Sequence, residues 1–356
     1  MTKKTKILNK KISSFCDAAL IFSEANRRYF TDFPSSDGVL LVSENETIFF
    51  TDSRYTEAAA QTIGAQFVKD SYNLYDTLNE IFNLNGIKKV AVENSYVSLA
   101  FFETLKEKLP DTEFETSAAL CCAIDEMREI KTSLEVSKIV RAQQIAEAAF
   151  NHILGFISTD KTEKEVALEL DYFMLKNGAD ALSFETIAVS GENSSKPHGV
   201  PGNKKIQSGD FITLDFGAMV DGYHSDMTRT VCVGKPSKKQ REVYNTVLDA
   251  QKKCLSILKD GISCFDADKA ARDVIVSAGY GDNFGHGTGH GVGIEIHEFP
   301  SVSFKSKSIL KEGNVVTVEP GIYLPGLFGV RIEDMALITK DGHRNLTCSP
   351  KELIIL

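Results

Sequence analysis

The sequence predicts an α+β fold, with helices covering one face of a mostly antiparallel sheet and a smaller α/β unit in front of it. Three observations carry this prediction. Residues 1–125 alternate short β-rich runs with helical patterns, residues 126–356 open on strong helix-start signals, and long strand-like runs lie between and after those helices. At 356 residues the chain has length enough for two cores.

In the first part, ALIFS (19–23), GVLLVS (38–43) and TIFFT (47–51) read as strands, with Glu44-Asn45-Glu46 as the turn between the last two. A helical pattern over Leu74–Leu84 and the run KKVAVE (88–93) continue the alternation. Between Cys121 and Lys131 the pattern breaks, which sets the expected boundary between domains 1–125 and 126–356. Beyond it, Thr132 and Glu135 form a capping box ahead of Val136, Ile139, Val140, Ala146, Phe150 and Ile153, spaced for one helical face. Thr162 with Glu165 opens a second helix that Gly178 would close, and Ser237 with Gln240 a third that Gly261 would close. A fourth covers Asp266 to Gly279. The runs at 210–220, 223–233, 314–320 and 329–339 read as strands.

Composition narrows the function. Apolar and charged fractions of 42% and 25% are those of an ordinary globular protein. A formal charge of −9 argues against nucleic acid as a partner, because phosphate contacts need clustered Lys and Arg. The basic opening MTKKTKILNKK has no apolar run behind it and reads as a solvated terminus. No window reaches the ~20 apolar residues that span a bilayer, so no membrane partner is expected. Seven cysteines without CxxC spacing fit reduced thiols in a cytoplasmic protein.

Chemistry concentrates in two segments. FGHGTGHGVGIEIHEFP (284–300) carries His286, His290 and His297 among five glycines. LDFGAMVDGYHSDMTRT (214–230) reads as a hairpin turning at Asp221-Gly222, which pairs Val220 with Tyr223, Gly217 with Asp226 and Asp215 with Thr228. Asp215 and Asp226 then share a face as diagonal neighbours about 7–8 Å apart, with Gly217 leaving space opposite Asp226. Such acids either face solvent or take a cation between them. Glu319 ends a strand-like run, and Glu333 stands among apolar neighbours where an unpaired carboxylate is costly. Singly, each reads as a salt-bridged structural acid. Four carboxylates with a glycine-flanked histidine form a more specific set, suited to two divalent ions, and oxygen-rich ligation favours Mn²⁺ or a similar hard ion. The motifs HExxH, GxGxxG, GxxxxGK and GxSxG are all missing.

At these residues the chain resembles the pita-bread metallopeptidases, in their aminopeptidase P and prolidase branch. The matching blocks are PHGVPGNKKIQSGDFITLDFGAMVDGYHSDMTRT, GHGTGHGVGIEIHE, TVEPGIY and VRIEDM, with NRRYFTDF and TDSRYTEAA in the first domain. The resemblance implies a pita-bread catalytic domain behind a creatinase-like α/β domain. It places five metal ligands on Asp215, Asp226, His290, Glu319 and Glu333, and further active-site groups on His198, His297 and Arg331. By the same resemblance, Glu319 would double as the catalytic acid–base. It also implies two divalent ions (Mn²⁺, with Co²⁺ or Zn²⁺ as alternatives), a homodimer, and small peptides with proline in second position as substrates. Hydrolysis of the Xaa-Pro bond in aminopeptidase P fashion is the first expectation, prolidase the alternative, and a non-catalytic binding module the remote one. His286 either lines the pocket or bonds backbone; His224 is read as structural, His152 and His343 as surface residues, and Asp52 with Arg54 as a structural ion pair.

Overall fold

The computed structural model describes residues 2–356. Two compact units divide the chain, Met1–Met127 and Arg128–Leu356, and the division falls inside a helix, Ala119–Glu129. That helix stands where the sequence pattern was expected to break. Leu120, Ala123, Ile124 and Met127 are spaced for one helical face, and the first three are buried. The basic opening departs from expectation too. It forms the helix Lys3–Ile12, which buries Leu8 and Ile12, one turn apart, while Lys3, Lys6 and Lys10 stay exposed on the other side.

The first unit is built on a six-stranded sheet in the order Val68–Asp70, Thr47–Thr51, Val39–Ser43, Ala18–Ile21, Lys89–Val92, Glu113–Glu115. Val39–Ser43 runs antiparallel to both its neighbours, and the remaining pairs are parallel. The three strands Ala18–Ile21, Val39–Ser43 and Thr47–Thr51 are buried along their whole length, which is why they read as apolar runs and not as alternating ones. In this unit Arg54 pairs with Asp52 at 2.5 Å and with Asp37 at 3.1 Å, a structural cluster as expected.

The second unit matches the expected α+β plan. Its helices are Ser133–Ile153, Glu163–Lys176, Lys238–Leu255 and Cys264–Ser277, and the first three open on complete capping boxes at Thr132, Thr162 and Ser237. The third ends at Leu255, six residues short of Gly261: the chain turns at Ser256 to bury Leu258, and Gly261 serves a later turn at φ 84°. Three sheets lie against these helices. Ile187–Ser190, Phe211–Phe216 and Met227–Cys232 form one, and Ala181–Leu182, Ala218–Val220 and Tyr223–His224 a second. The third runs Glu298–Val302, Gly289–Gly291, Val315–Val318, Asp334–Thr339, Gly342–Asn345, with the hairpin Gly321–Leu324/Phe328–Arg331 beside it. One helix pair shares a core with Ile212, Leu214 and Phe216, the other with Val316, Val318, Ala336 and Ile338. Helices therefore take one face of each sheet and leave the opposite faces to one another.

A buried ion pair stitches two of these sheets together. Arg229, 1% exposed, donates to Asp334 Oδ1 at 2.8 Å and to the carbonyls of Thr228, Glu333, Ser349 and Pro350. Gln251, Asn345 and Lys351 satisfy Asp334 Oδ2. Arg229→Met should cost about 1–3 kcal/mol, because Lys351 still pairs with Asp334 Oδ2 but Oδ1 and the buried carbonyls lose Arg229 as their donor. Urea unfolding measures this, and a loss below about 1 kcal/mol would show that the network contributes little.

Candidate metal centre

Alternation along the strands decides which side chains meet on the helix-free faces. With Ile212, Leu214 and Phe216 turned to the helices, Thr213 and Asp215 point the other way; with Val316 and Val318 in the core, Thr317 does the same. The turn at Asp221-Gly222 has φ of 50° and 80°, the left-handed pair a two-residue hairpin needs, and it sets the expected register of Val220 with Tyr223 and Asp215 with Thr228. Between these pairs the ladder opens at Gly217 and Asp226. The glycine is there for a different reason than space beside Asp226: a Cβ on Gly217 would lie 2.0 Å from the Ser225 carbonyl oxygen. Backbone, not side chain, occupies that room.

All eight sequence-predicted site residues, and His286, line one cavity of about 600 Å³. Asp226, His290 and Glu333 each offer a ligand atom within 4.8 Å of the other two. Asp215 and Glu319 stand beside them: Glu319 Oε1 is 3.4 Å from His290 Nε2, and Asp226 Oδ2 is 3.6 Å from the same nitrogen. Thr228 Oγ1 donates to Glu333 at 2.8 Å, Thr317 Oγ1 to Glu319 at 3.2 Å, and the Arg331 guanidinium to Asp215 Oδ2 at 2.5 Å. The His290 and His297 rings are 4.3 Å apart. His224 is not among the cavity-lining residues.

Charge in this cavity is unbalanced. Burial, then repulsion from Asp215 and Glu319, pushes the Asp226 carboxyl well above the usual carboxylate range. Burial and the Asp226 charge do the same to Glu333, and burial raises Glu319 to about 8. Burial, with His297 next to it, lowers His290 to about 4, so the ring is neutral. Its Nδ1 lies 3.0 Å from the Gly291 carbonyl and therefore carries the hydrogen, which leaves the Nε2 lone pair facing the oxygens of Asp226 and Glu319. Wherever Asp226 and Glu319 are ionised, acceptor faces acceptor. Asp215 Oδ1 is likewise buried with no protein partner. Four carboxylates and an imidazole lone pair, set against one guanidinium, form a donor set that fits divalent cations.

Arg331 belongs to a chain of bonds that sequence reading only partly found. Burial would lower its pKa, but Tyr323, Asp215 and Glu319 outweigh it and raise the value. It donates to Asp215, to Thr228 Oγ1 at 3.1 Å and to the Tyr323 hydroxyl at 2.8 Å. That hydroxyl is 2.9 Å from His286 Nε2, and His286 Nδ1 is 2.8 Å from the Gly287 carbonyl. His286, lowered to about 4 by burial, thus donates through Nδ1 and accepts the tyrosine proton at Nε2. It does both things offered for it, lining the pocket and bonding backbone. Tyr323 was the residue missed. Its signal was the GIY run after Glu319-Pro320: Gly321 pairs with Arg331, which makes Tyr323 a diagonal neighbour of the arginine.

The raised carboxyls predict a pH dependence for the metal-free protein. Between about 6.5, above which the unfolded histidines are neutral as His286 and His290 already are in the fold, and about 8 for folded Glu319, the raised carboxyls make the folded state bind more protons than the unfolded chain. Its stability therefore falls as pH rises through this window. Chelated protein should melt at a lower temperature at pH 8 than at pH 6.5, with the gap to metal-loaded protein widening. A gap that narrows instead would contradict the charge arrangement.

Residues 137–340 match metallopeptidase family M24, and residues 5–130 match the creatinase/prolidase N-terminal domain. An uncharacterized peptidase of Bacillus subtilis is 44% identical over 341 residues, covering 96% of each chain. An Xaa-Pro dipeptidase of Pyrococcus horikoshii is 39% identical over 355 residues, covering 99% of this chain and 98% of the other. Among solved structures, an Xaa-Pro dipeptidase from Bacillus anthracis superposes with a TM-score of 0.95 at 43% identity, covering 99% of both chains. An X-Pro aminopeptidase from Thermotoga maritima does so with a TM-score of 0.91 at 37% identity, covering 99% of this chain and 100% of that one. With both domains matching in this order and a carboxylate-rich centre within the second, the chain belongs to metallopeptidase family M24, as a pita-bread metallopeptidase carrying a creatinase/prolidase N-terminal domain.

Proposed function

We propose that this chain hydrolyses the Xaa-Pro bond of dipeptides with the help of two divalent ions, Mn²⁺ being the best suited to its oxygen-rich donors. The observation that carries the metal-dependent reading is the neutral His290 lone pair turned toward buried carboxylates. The dipeptide preference comes from the relatives. Proteins of Pyrococcus horikoshii and Pyrococcus furiosus, each 39% identical, are Xaa-Pro dipeptidases, as is the Bacillus anthracis structure. The aminopeptidase P reading favoured by the sequence becomes the second one. One observation keeps it in view: Arg331 is the one Lys or Arg among the described residues lining the cavity, and its guanidinium is already engaged by Asp215, Tyr323 and Thr228. The unit leaves no unengaged lysine or arginine in the cavity for a dipeptide's carboxylate.

In this proposal Asp215, Asp226, His290, Glu319 and Glu333 hold the ions. Bound there, the ions supply positive charge that ionises water near neutral pH. Glu319 accepts the proton of the attacking water and delivers it to the proline nitrogen as the C–N bond breaks. His198 and His297 donate N–H bonds to the substrate carbonyl oxygen as it gains negative charge. Arg331 fixes the orientation of Asp215 and is itself fixed by Tyr323. No described helix is long and apolar enough to cross a membrane. A homodimer and a cytoplasmic location complete the proposal.

Glu319→Gln should fold normally and lose about 10²–10⁴-fold in kcat; near wild-type turnover would remove its role as acid–base. Asp226→Asn should bind fewer divalent ions per chain, and unchanged stoichiometry by elemental analysis would exclude it as a ligand. Xaa-Pro, Xaa-Pro-Yaa and Xaa-Ala, compared with Mn²⁺ and with chelator, decide the substrate. Chelator-sensitive cleavage of Xaa-Pro alone supports the dipeptidase, whereas cleavage of Xaa-Pro-Yaa moves the assignment to aminopeptidase P.

A further inference from the structure

The loop that carries the site histidines is gripped from outside the cavity. The helix Cys264–Ser277 presents Asp268 and Arg272, one turn apart, to the segment 284–288. Asp268 is only 1% exposed. Its Oδ1 accepts from the Thr288 N–H at 3.0 Å, the Thr288 hydroxyl at 2.9 Å and Arg272 at 2.9 Å, while Oδ2 accepts from Arg272 Nε at 2.8 Å. Arg272 spends its other donors on two backbone carbonyls, Phe284 at 3.0 Å and His286 at 2.7 Å. The rings of Phe284 and Phe304 flank its guanidinium at 4.2 and 4.8 Å. A planar fork between two rings has one orientation available to it.

Each contact lies directly behind a working group. The Thr288 carbonyl accepts the Glu319 N–H at 2.8 Å, so Asp268 reaches the acid–base through one residue. His286, whose carbonyl Arg272 holds, turns its ring to Tyr323 and so supports the Tyr323–Arg331–Asp215 chain. An exposed i,i+4 ion pair would stabilise the helix by only about 0.3–0.5 kcal/mol and touch nothing else. This one is buried at the acid, and it spends every bond that leaves the helix on 284–288.

We propose that Asp268 and Arg272 are positioning residues: a two-residue clamp that holds His286 and the Glu319 backbone at the spacing the reaction needs. The proposal rests on the hydrolytic reading of the cavity given above. Displacement by about 1 Å at such a site can lower turnover by 10²-fold, far more than the clamp's share of stability would suggest. Arg272→Lys keeps the charge beside Asp268 but cannot span both carbonyls. Thr288→Val keeps the ion pair and removes one bond of the clamp.

Both variants would be assayed with saturating Mn²⁺ on the peptide that wild type cleaves best, alongside melting temperature, bound metal, and ¹⁵N spectra of histidine-labelled protein. The clamp predicts a kcat at least about tenfold lower in Arg272→Lys, with a smaller loss in Thr288→Val and KM and metal content unchanged in both. It also predicts that the His286 ring, a single Nδ1–H tautomer in wild type, exchanges between tautomers in Arg272→Lys. Wild-type kcat and a fixed tautomer in Arg272→Lys overturn the proposal. If Arg272→Lys fails to fold, Thr288→Val decides alone, and an unchanged kcat there overturns it. Wild type inert on every proline peptide with metal bound would instead defeat the functional reading on which the clamp depends.

Discussion

Four carboxylates share one buried cavity with a neutral imidazole whose lone pair faces two of them, and a single guanidinium is the only permanent positive charge the described lining residues supply. Much of the second unit can be understood as the means of holding that arrangement against its own repulsion. Desolvation alone penalises each acid, and proximity adds to the penalty, so Asp226, Glu319 and Glu333 all keep their protons more tightly than they would in water. The folded chain accepts this because each acid is tied to a rigid element. Asp215 is in a strand and on Arg331, Glu333 is on Thr228 through both its side chain and its backbone N–H, and Glu319 is on Thr317 and on the Thr288 carbonyl. A site built this way is strained without cations and relaxed with them, which couples metal binding to stability and to proton release.

Apart from Asp215, which is paired on both sides within Phe211–Phe216, the proposed ligands sit at a characteristic kind of position. Asp226 falls in the gap between Tyr223–His224 and Met227–Cys232, and Glu333 in the gap between Phe328–Arg331 and Asp334–Thr339. Glu319 lies one residue past Val315–Val318, and His290 stands in a three-residue strand with a shifted register. A residue inside a regular ladder has its backbone committed to two neighbours and its side chain to one of two faces. Where the ladder opens, the chain passes from one sheet to the next, and a side chain can be aimed into the space between them. The regular strands supply the rigidity; their interruptions supply the aim.

A good deal of this was written locally. Capping boxes at Thr132, Thr162 and Ser237 announced three helices because each needs only residues three apart. Asp221-Gly222 announced a turn and, through period-two alternation, the shared face of Asp215 and Thr228. Relations between distant segments were much harder to see. The Ala119–Glu129 helix was obscured by its mixed composition, although the spacing of Leu120, Ala123 and Ile124 was in plain view. Arg229 read as an ordinary strand residue, yet it is buried with Asp334, 105 residues away. Gly217 was understood as space for a side chain, when the obstacle is the Ser225 carbonyl.

The sequence by itself determined most of the second unit's helices and strands, the hairpin register and the set of acids and histidines, because each follows from a pattern a few residues long or from residue types that are rarely left buried without a partner. Tertiary structure alone decided that His286 donates to backbone and accepts from Tyr323, that Arg331 is engaged by Asp215, Tyr323 and Thr228, and that Asp268 and Arg272 stand behind the histidine loop. Those assignments depend on which proton meets which lone pair across the fold. A hydrogen bond is set by distances of a few tenths of an ångström between segments far apart in the chain, and no local pattern encodes them.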